Sequence, residues 1–317
     1  EVWLEANVST KTLSVPLPEG LERLSRRLSN RHITPYYYLL PTVIPLLLLT
    51  VYPLLRGIYL AFTQYNLYNK DTTLVGAFNF IELTTNDTLF WGALANNILW
   101  TVGIVAITYV LGLFTSIALN ENIPLRGLFR GLALIPWVCP AVVAALTWRW
   151  IFDPHFGMLN YALMELGLID RQIGWLGDKN TALAATMVVA IWKLLPFSVV
   201  MLLAGLQTVP EELYEAGAID GAGVLGRFRY ITVPLLNRVG KIAILLTTIW
   251  AFNHFDSVYV LTGGGPGDTT MLLSIMSYLN AFRFFKIGYA SAVGVVMLIL
   301  LLLPITLYTR QVLEDVE

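Results

Sequence analysis

Charge is scarce in this sequence, and so are the residues that build catalytic and metal centres. Only 13% of the 317 residues are Asp, Glu, Lys or Arg, roughly half the share of a soluble domain. One cysteine is present, Cys139, so the chain closes no internal disulfide and offers no cysteine zinc site. Within its apolar run Cys139 reads as a small buried side chain. The three histidines, His32, His155 and His254, sit at spacings that no metal site uses, and no metal is expected. No GxxxxGK(S/T) phosphate loop, GxSxG nucleophile elbow or HExxH helix occurs. The run Gly263–Thr270, GGGPGDTT, is glycine-rich but lacks the lysine of a phosphate loop, and reads as turns. No catalytic residue is expected, and the chain is not read as an enzyme. A net charge of −1 leaves no electrostatic case for nucleic acid.

What the chain has in excess is apolar side chains: 56% of residues are hydrophobic and mean hydropathy is +0.67. That composition implies an integral membrane protein, and helices are the expected spanning element because lipid offers backbone polar groups no partner. A span takes about 20 mostly apolar residues. Six segments qualify, approximately Tyr36–Phe62, Ala95–Leu119, Gly131–Phe152, Thr181–Leu206, Val239–Leu261 and Gly288–Tyr308. The expected fold is all-α, with about six transmembrane helices. Pro41, Pro45, Pro53, Pro136, Pro140, Pro196 and Pro304 fall in or at the ends of these segments, where each removes a hydrogen bond and can kink its helix.

The Lys and Arg residues are denser on the side that holds Arg23, Arg26, Arg27, Arg126, Arg130, Arg227, Arg229 and Arg310. The positive-inside rule makes that side cytoplasmic, with both termini inside. Residues 1–34 form a cytoplasmic N-terminal segment, 35–310 the transmembrane domain, and 311–317 a short cytoplasmic tail. In the first of these, Leu21, Leu24 and Leu28 recur at helical spacing among arginines. That pattern fits an amphipathic helix on the membrane surface, and equally a solvated tail.

Between the fourth and fifth segments lies a polar loop, 207–238, that is too finely patterned for a plain connector. Thr208, Pro210 and Glu211 suggest a capped helix start, with the helix stopping near Gly221 or Gly223 and a second short helix from about Leu225 to Ile231. Ala216, Gly217, Ala218, Gly221 and Ala222 are small enough to let another backbone approach. Glu215 and Asp220 offer carboxylates, and Leu213, Tyr214, Phe228 and Ile231 offer apolar anchors. On residue types alone the segment fits a docking helix and a surface helix with small residues equally well.

Glu215-Ala216-Gly217, Asp220-Gly221-Ala222, Phe228, Ile231 and Pro234 together resemble the EAA loop of ATP-binding-cassette importer permeases, with Gly217 where that family carries Ala. Tyr52-Pro53 with Arg56, Phe152-Asp153-Pro154, Gly174-Trp175-Leu176, Trp192 with Pro196-Phe197, and Leu261–Pro266 resemble its carbohydrate branch. Within it the chain is similar to the first permease subunit of maltose-, trehalose- and glycerol-phosphate-type systems. Residues 1–34 lie outside the resemblance. The resemblance implies a type I importer permease fold in a prokaryotic inner membrane, alternating access, and a coupling helix at Glu215–Ala222 that docks on a nucleotide-binding subunit. It further implies a second homologous permease, two ATPase subunits that bind ATP and Mg, and an extracytoplasmic solute-binding protein; this chain itself carries no cofactor.

Polar groups within spans are costly, so each invites a functional question. The fifth segment holds Trp250, Asn253, His254 and Asp256, with Trp250 and His254 four residues apart on one expected helix face. Aromatic rings can stack on a sugar, and His and Asn can bond its hydroxyls; helix–helix hydrogen bonding is the plainer reading. The resemblance places the substrate lining at Ala190, Leu194, Phe197, Trp250, Ala251 and His254. Ala190, Leu194 and Ala251 bring no hydrogen-bonding side chain, so a polar pocket of the maltose kind would need the partner permease. Lys193 and Arg149, each beside tryptophan, are expected to snorkel to the outer interface, the alternative being a role in binding an anionic substrate. A proton- or ion-driven carrier, with Asp256 as its acid, is the alternative from another class; a membrane-embedded enzyme lacks any constellation to support it.

Overall fold

The computed structural model describes residues 34–65 and 72–314, and the expected amphipathic helix within 1–34 falls outside them. The chain divides into two compact units, Glu1–Arg56 and Gly57–Glu317. Among the described residues five helices are long and apolar enough to cross a membrane: Tyr36–Ala61, Thr88–Asn120, Ala182–Leu206, Val224–Leu261 and Ile287–Arg310. A sixth crossing exists if the bent pair Arg126–Val138 and Ala141–Ile151 counts as one broken span. The last helix continues to Glu314, so the segment expected as a tail begins helical. A two-stranded antiparallel ribbon, Thr63–Tyr65 with Thr72–Leu74, follows the first span, pairing Gln64 with Thr73.

The third expected span, Gly131–Phe152, is not a straight helix. Its two halves meet at 97°. Pro140 has no N–H to continue the ladder, and the residue before a proline is driven to extended backbone; Cys139 has φ −61° and ψ 128°. The fifth span starts far earlier than Val239. Helix runs from Val224 through a widened π turn, Phe228–Thr232, into Val233–Phe252, so the separate short helix expected over Leu225–Ile231 is instead the foot of this span. The π turn has a covalent cause. Pro234 cannot bond back to Tyr230, and the Val233 N–H closes on the Phe228 carbonyl instead. Leu47–Val51 repeats the arrangement, with Pro53 two residues beyond its π turn.

Lipid is as apolar as the side chains in the spans, so helix association rests on close packing and on hydrogen bonds between helices. The core joins Trp100 and Ile104 of the second span, Ala190 of the fourth, Ala251 of the fifth, and Leu272, Leu273, Ile275 and Met276 of the segment that follows. Trp100 donates through Nε1 to the Ala251 carbonyl at 3.1 Å, and Asn97 donates to Phe252 at 3.4 Å while accepting from the Leu273 N–H at 3.3 Å. Trp100 adds a donor to the Ala251 carbonyl, which also accepts from the His254 N–H at 3.2 Å, and Asn97 supplies the Phe252 carbonyl at the helix end, each contact contributing on the order of 1 kcal/mol.

Outside the spans, Asn160 ties two stretches together. Its amide donates to Pro154 and Ile173 carbonyls at 3.1 and 2.9 Å, and its oxygen accepts from the Ile173 N–H at 3.3 Å and from Trp175 Nε1 at 2.8 Å. Phe152 and Trp175 face each other at 6.5 Å. Asp153 closes the intervening turn, accepting from the His155 and Phe156 N–H groups at 2.9 Å. The Phe156 bond, then the His155 bond, hold its carboxyl below the usual range. That contribution is present above the ordinary carboxylate range and fades as pH falls through the lowered value. Asn160→Ala leaves several part-buried partners unmade and is expected to cost about 2–3 kcal/mol. The check is a lower thermal midpoint of the purified chain with faster proteolysis between residues 153 and 176; an unchanged midpoint would remove Asn160 from the account.

Candidate functional site

The loop 207–238 carries a nine-residue helix, Glu211–Ile219, with Glu211 and Glu212 in its first turn, where negative charge suits the helix dipole. The expected Thr208 cap is absent. The helix is preceded by Pro210, which makes no side-chain cap, and the Thr208 hydroxyl turns back to the Gly205 carbonyl at 2.8 Å. Thr208 lies in the last turn off the fourth span, and its backbone N–H bonds the same Gly205 carbonyl at 3.2 Å.

The other end closes as expected. Gly221 adopts φ +82°, the Ala222 N–H bonds the Gly217 carbonyl at 2.9 Å, and the Gly221 N–H bonds Ala218 at 3.1 Å. This pair of bonds is the Schellman arrangement, which asks for glycine at the left-handed position. Gly217 has a different reason. A Cβ there would lie 2.9 Å from Ile231 Cδ1 and 3.4 Å from Arg227 Cγ, so the missing side chain sets how closely this helix sits on the foot of the fifth span. Tyr214 and Thr232 hydroxyls, 3.0 Å apart, fasten the same contact.

Glu215, Ala216, Ala218, Asp220 and Pro234 are exposed, while Ala222 and Phe228 are part-buried. The apolar surface differs from expectation. Of the expected anchors Leu213 is exposed but Tyr214, Phe228 and Ile231 are part-buried, whereas Ile219, Val224, Leu225 and Tyr230 are 87%, 78%, 77% and 76% exposed. The sequence signal was the placing of Ile219 and Val224 on either side of the Asp-Gly-Ala-Gly turn, where helix packing cannot cover them.

The second group of expected residues separates into two sets. Ala190 and Ala251 are fully buried in the core and present no surface. Trp250 and His254 do not share a helix face, because helix ends at Phe252. His254 instead shares a hydrogen bond with Ser257 at 2.9 Å, its carbonyl accepts from Ser274 at 2.6 Å, and its ring lies 5.3 Å from Trp100. Exposed Asn253 returns its amide to Ile249 at 3.0 Å, and Leu194 packs at the edge of the core.

Phe197 and Trp250 do come together, edge to face at 4.5 Å. The structure adds a third ring: Trp137 lies 6.4 Å from Phe197. Trp137 and Trp250 are 49% and 39% exposed, so three aromatic side chains from three helices form an open row. Trp137 was hidden in an apolar run; its place between Pro136 and the Cys139-Pro140 break was the available signal. Lys193 has a partner within the protein. Its Nζ donates to the Cys139 carbonyl at 2.6 Å, supplying the partner that the broken helix lost. Arg149 is exposed.

The chain resembles known proteins over most of its length. It is 33% identical to the trehalose/maltose transport system permease protein MalF of Thermococcus litoralis, covering 84% of this chain and 89% of that one. It is 36% identical to the sulfoquinovosyl glycerol transport system permease protein SmoG of Agrobacterium fabrum, covering 86% and 88%. The crystal structure of a bacterial ABC transporter involved in import of the acidic polysaccharide alginate superposes with a TM-score of 0.76 at 21% identity, over 91% of this chain and 99% of that one, and shares the fold. The description "binding-protein-dependent transport system inner membrane component" matches residues 108–313. With multiple membrane-spanning helices, a patterned loop between the fourth and fifth, and this match across more than half its length, the chain belongs to the family of binding-protein-dependent transport system inner membrane components.

Proposed function

We propose that this chain is one of two permeases in an ATP-driven importer that carries a carbohydrate. The observation that carries the carbohydrate reading is the open row Trp137–Phe197–Trp250, since aromatic faces offer an apolar sugar face a large, rigid contact. The names of two relatives, a trehalose/maltose and a sulfoquinovosyl glycerol permease, support the same class. Of two ATPase subunits, which bind ATP and Mg, one docks on the loop 207–238 through Glu211–Ala222 and the exposed Ile219, Val224, Leu225 and Tyr230. A solute-binding protein delivers the ligand from the outer side, and the chain's own termini face the cytoplasm. ATP closes the ATPase pair, and the loop carries that motion into the fifth span, whose helix starts at Val224. Each nucleotide state must bind one conformation better than the other for this to work. Mild solubilisation and affinity purification of the tagged chain, with mass spectrometry, is expected to recover an ATPase, a second permease and a binding protein. Reproducible recovery of the chain alone or as a homo-oligomer would contradict the proposal.

A further inference from the structure

We infer that the transported solute carries an anionic group and that Lys193 selects for it. The inference rests on the carbohydrate reading above and adds its charge. Lys193 lies within the fourth span, one helical turn before Phe197 and therefore on the same face as the aromatic row. Its part-buried side chain reaches with Nζ to the Cys139 carbonyl, two residues beyond Trp137, so Lys193 joins the helix that carries Phe197 to the end of the helix that carries Trp137. One of its three N–H donors is used there, and no second hydrogen bond is made among the described residues. No carboxylate pairs with it among the described residues. Lys193 and Asp256 both act electrostatically on His254, but Asp256 forms no ion pair with Lys193 among the described residues.

An ionised group inside a membrane span is expensive. Capping one carbonyl does not require it, because a neutral amide or hydroxyl would do the same. The charge is therefore the surplus that needs a use. A sugar ring stacked on Trp137 or Phe197 would turn its rim towards Nζ, where a carboxylate, sulfonate or phosphate ester gains a charge-assisted hydrogen bond. A neutral sugar gains no such pairing.

Two readouts test this. The solute released from the co-purified binding protein is identified by mass spectrometry, and its uptake is measured with the complete transporter carrying wild-type, Lys193→Gln or Lys193→Arg permease. Lys193→Gln keeps a donor for Cys139 and removes only the charge. The expected result is an acidic sugar whose uptake KM rises at least about tenfold in Lys193→Gln, about 1.4 kcal/mol, with Lys193→Arg retaining most function and complex yield unchanged. A neutral sugar would overturn the inference and leave the carbohydrate reading standing. A non-carbohydrate solute would overturn both. An acidic sugar with unaltered KM in Lys193→Gln would reduce Lys193 to a clasp on the bent helix.

Discussion

Gly217→Trp is expected to abolish uptake while the transporter still assembles and hydrolyses ATP. A single added Cβ already falls 2.9 Å from the Ile231 side chain, and an indole must push Glu211–Ile219 away from the foot of the fifth span. Overpacking of this kind costs up to about 3 kcal/mol, roughly a hundredfold in the population of the coupled arrangement. Gly217→Ala separates geometry from mere change. Its methyl meets the far end of a flexible isoleucine, which can swing aside, so uptake stays near wild type. Gly221 fails for another reason. Nothing lies within 4 Å of a Cβ there, but φ +82° is a conformation that side chains resist. Gly221→Val should therefore also uncouple, by reshaping the helix end rather than by collision. Hydrolysis measured beside uptake in proteoliposomes reads both; full transport by Gly217→Trp would remove the loop from the coupling mechanism.

Trp250→Ala is the second large effect. The ring stands at one end of the open row, against Phe197, and its loss removes stacking area that a bound sugar would use in ground state and transition state alike. Uniform binding of that kind appears in KM rather than kcat. The expected rise is roughly tenfold, about 1.4 kcal/mol, with Trp137→Ala following in the same direction. Trp100→Phe is the control. It deletes the donor to the Ala251 carbonyl, so it should lower thermal stability and leave KM alone. A KM unchanged in both Trp250→Ala and Trp137→Ala would dismiss the row as a substrate surface.

Long apolar runs made most of the fold readable in advance. The first span, the second, the fourth and the sixth were each anticipated, because apolar length is the physical requirement itself; the second alone began earlier, at Thr88 rather than Ala95. The two failures have different causes, a proline absorbed within a helix and a bend set by packing. Arg227, Arg229 and Arg238 put the loop's end at 238, with only a short helix over Leu225–Ile231, yet helix continues from Val224 because Pro234 is absorbed by a π turn. Pro140 announced a kink, but the size of the bend and the Lys193 donor that satisfies it belong to packing between distant segments. The candidate sites divide the same way. The helix stop at Gly221 was local and legible. Which of Ala190, Phe197, Trp250 and Ala251 face open space was not, because that depends on the break after Phe252, held by Asn97 and Trp100 from another span.

The most direct test of the account is uptake by the complete transporter in proteoliposomes, with binding protein and labelled solute outside and ATP enclosed. The account expects accumulation that requires both ATP and the binding protein, stops with a non-hydrolysable analogue, and persists with a protonophore. Uptake by this chain alone, collapsing when the protonophore is added, would contradict it and make the chain an ion-driven carrier.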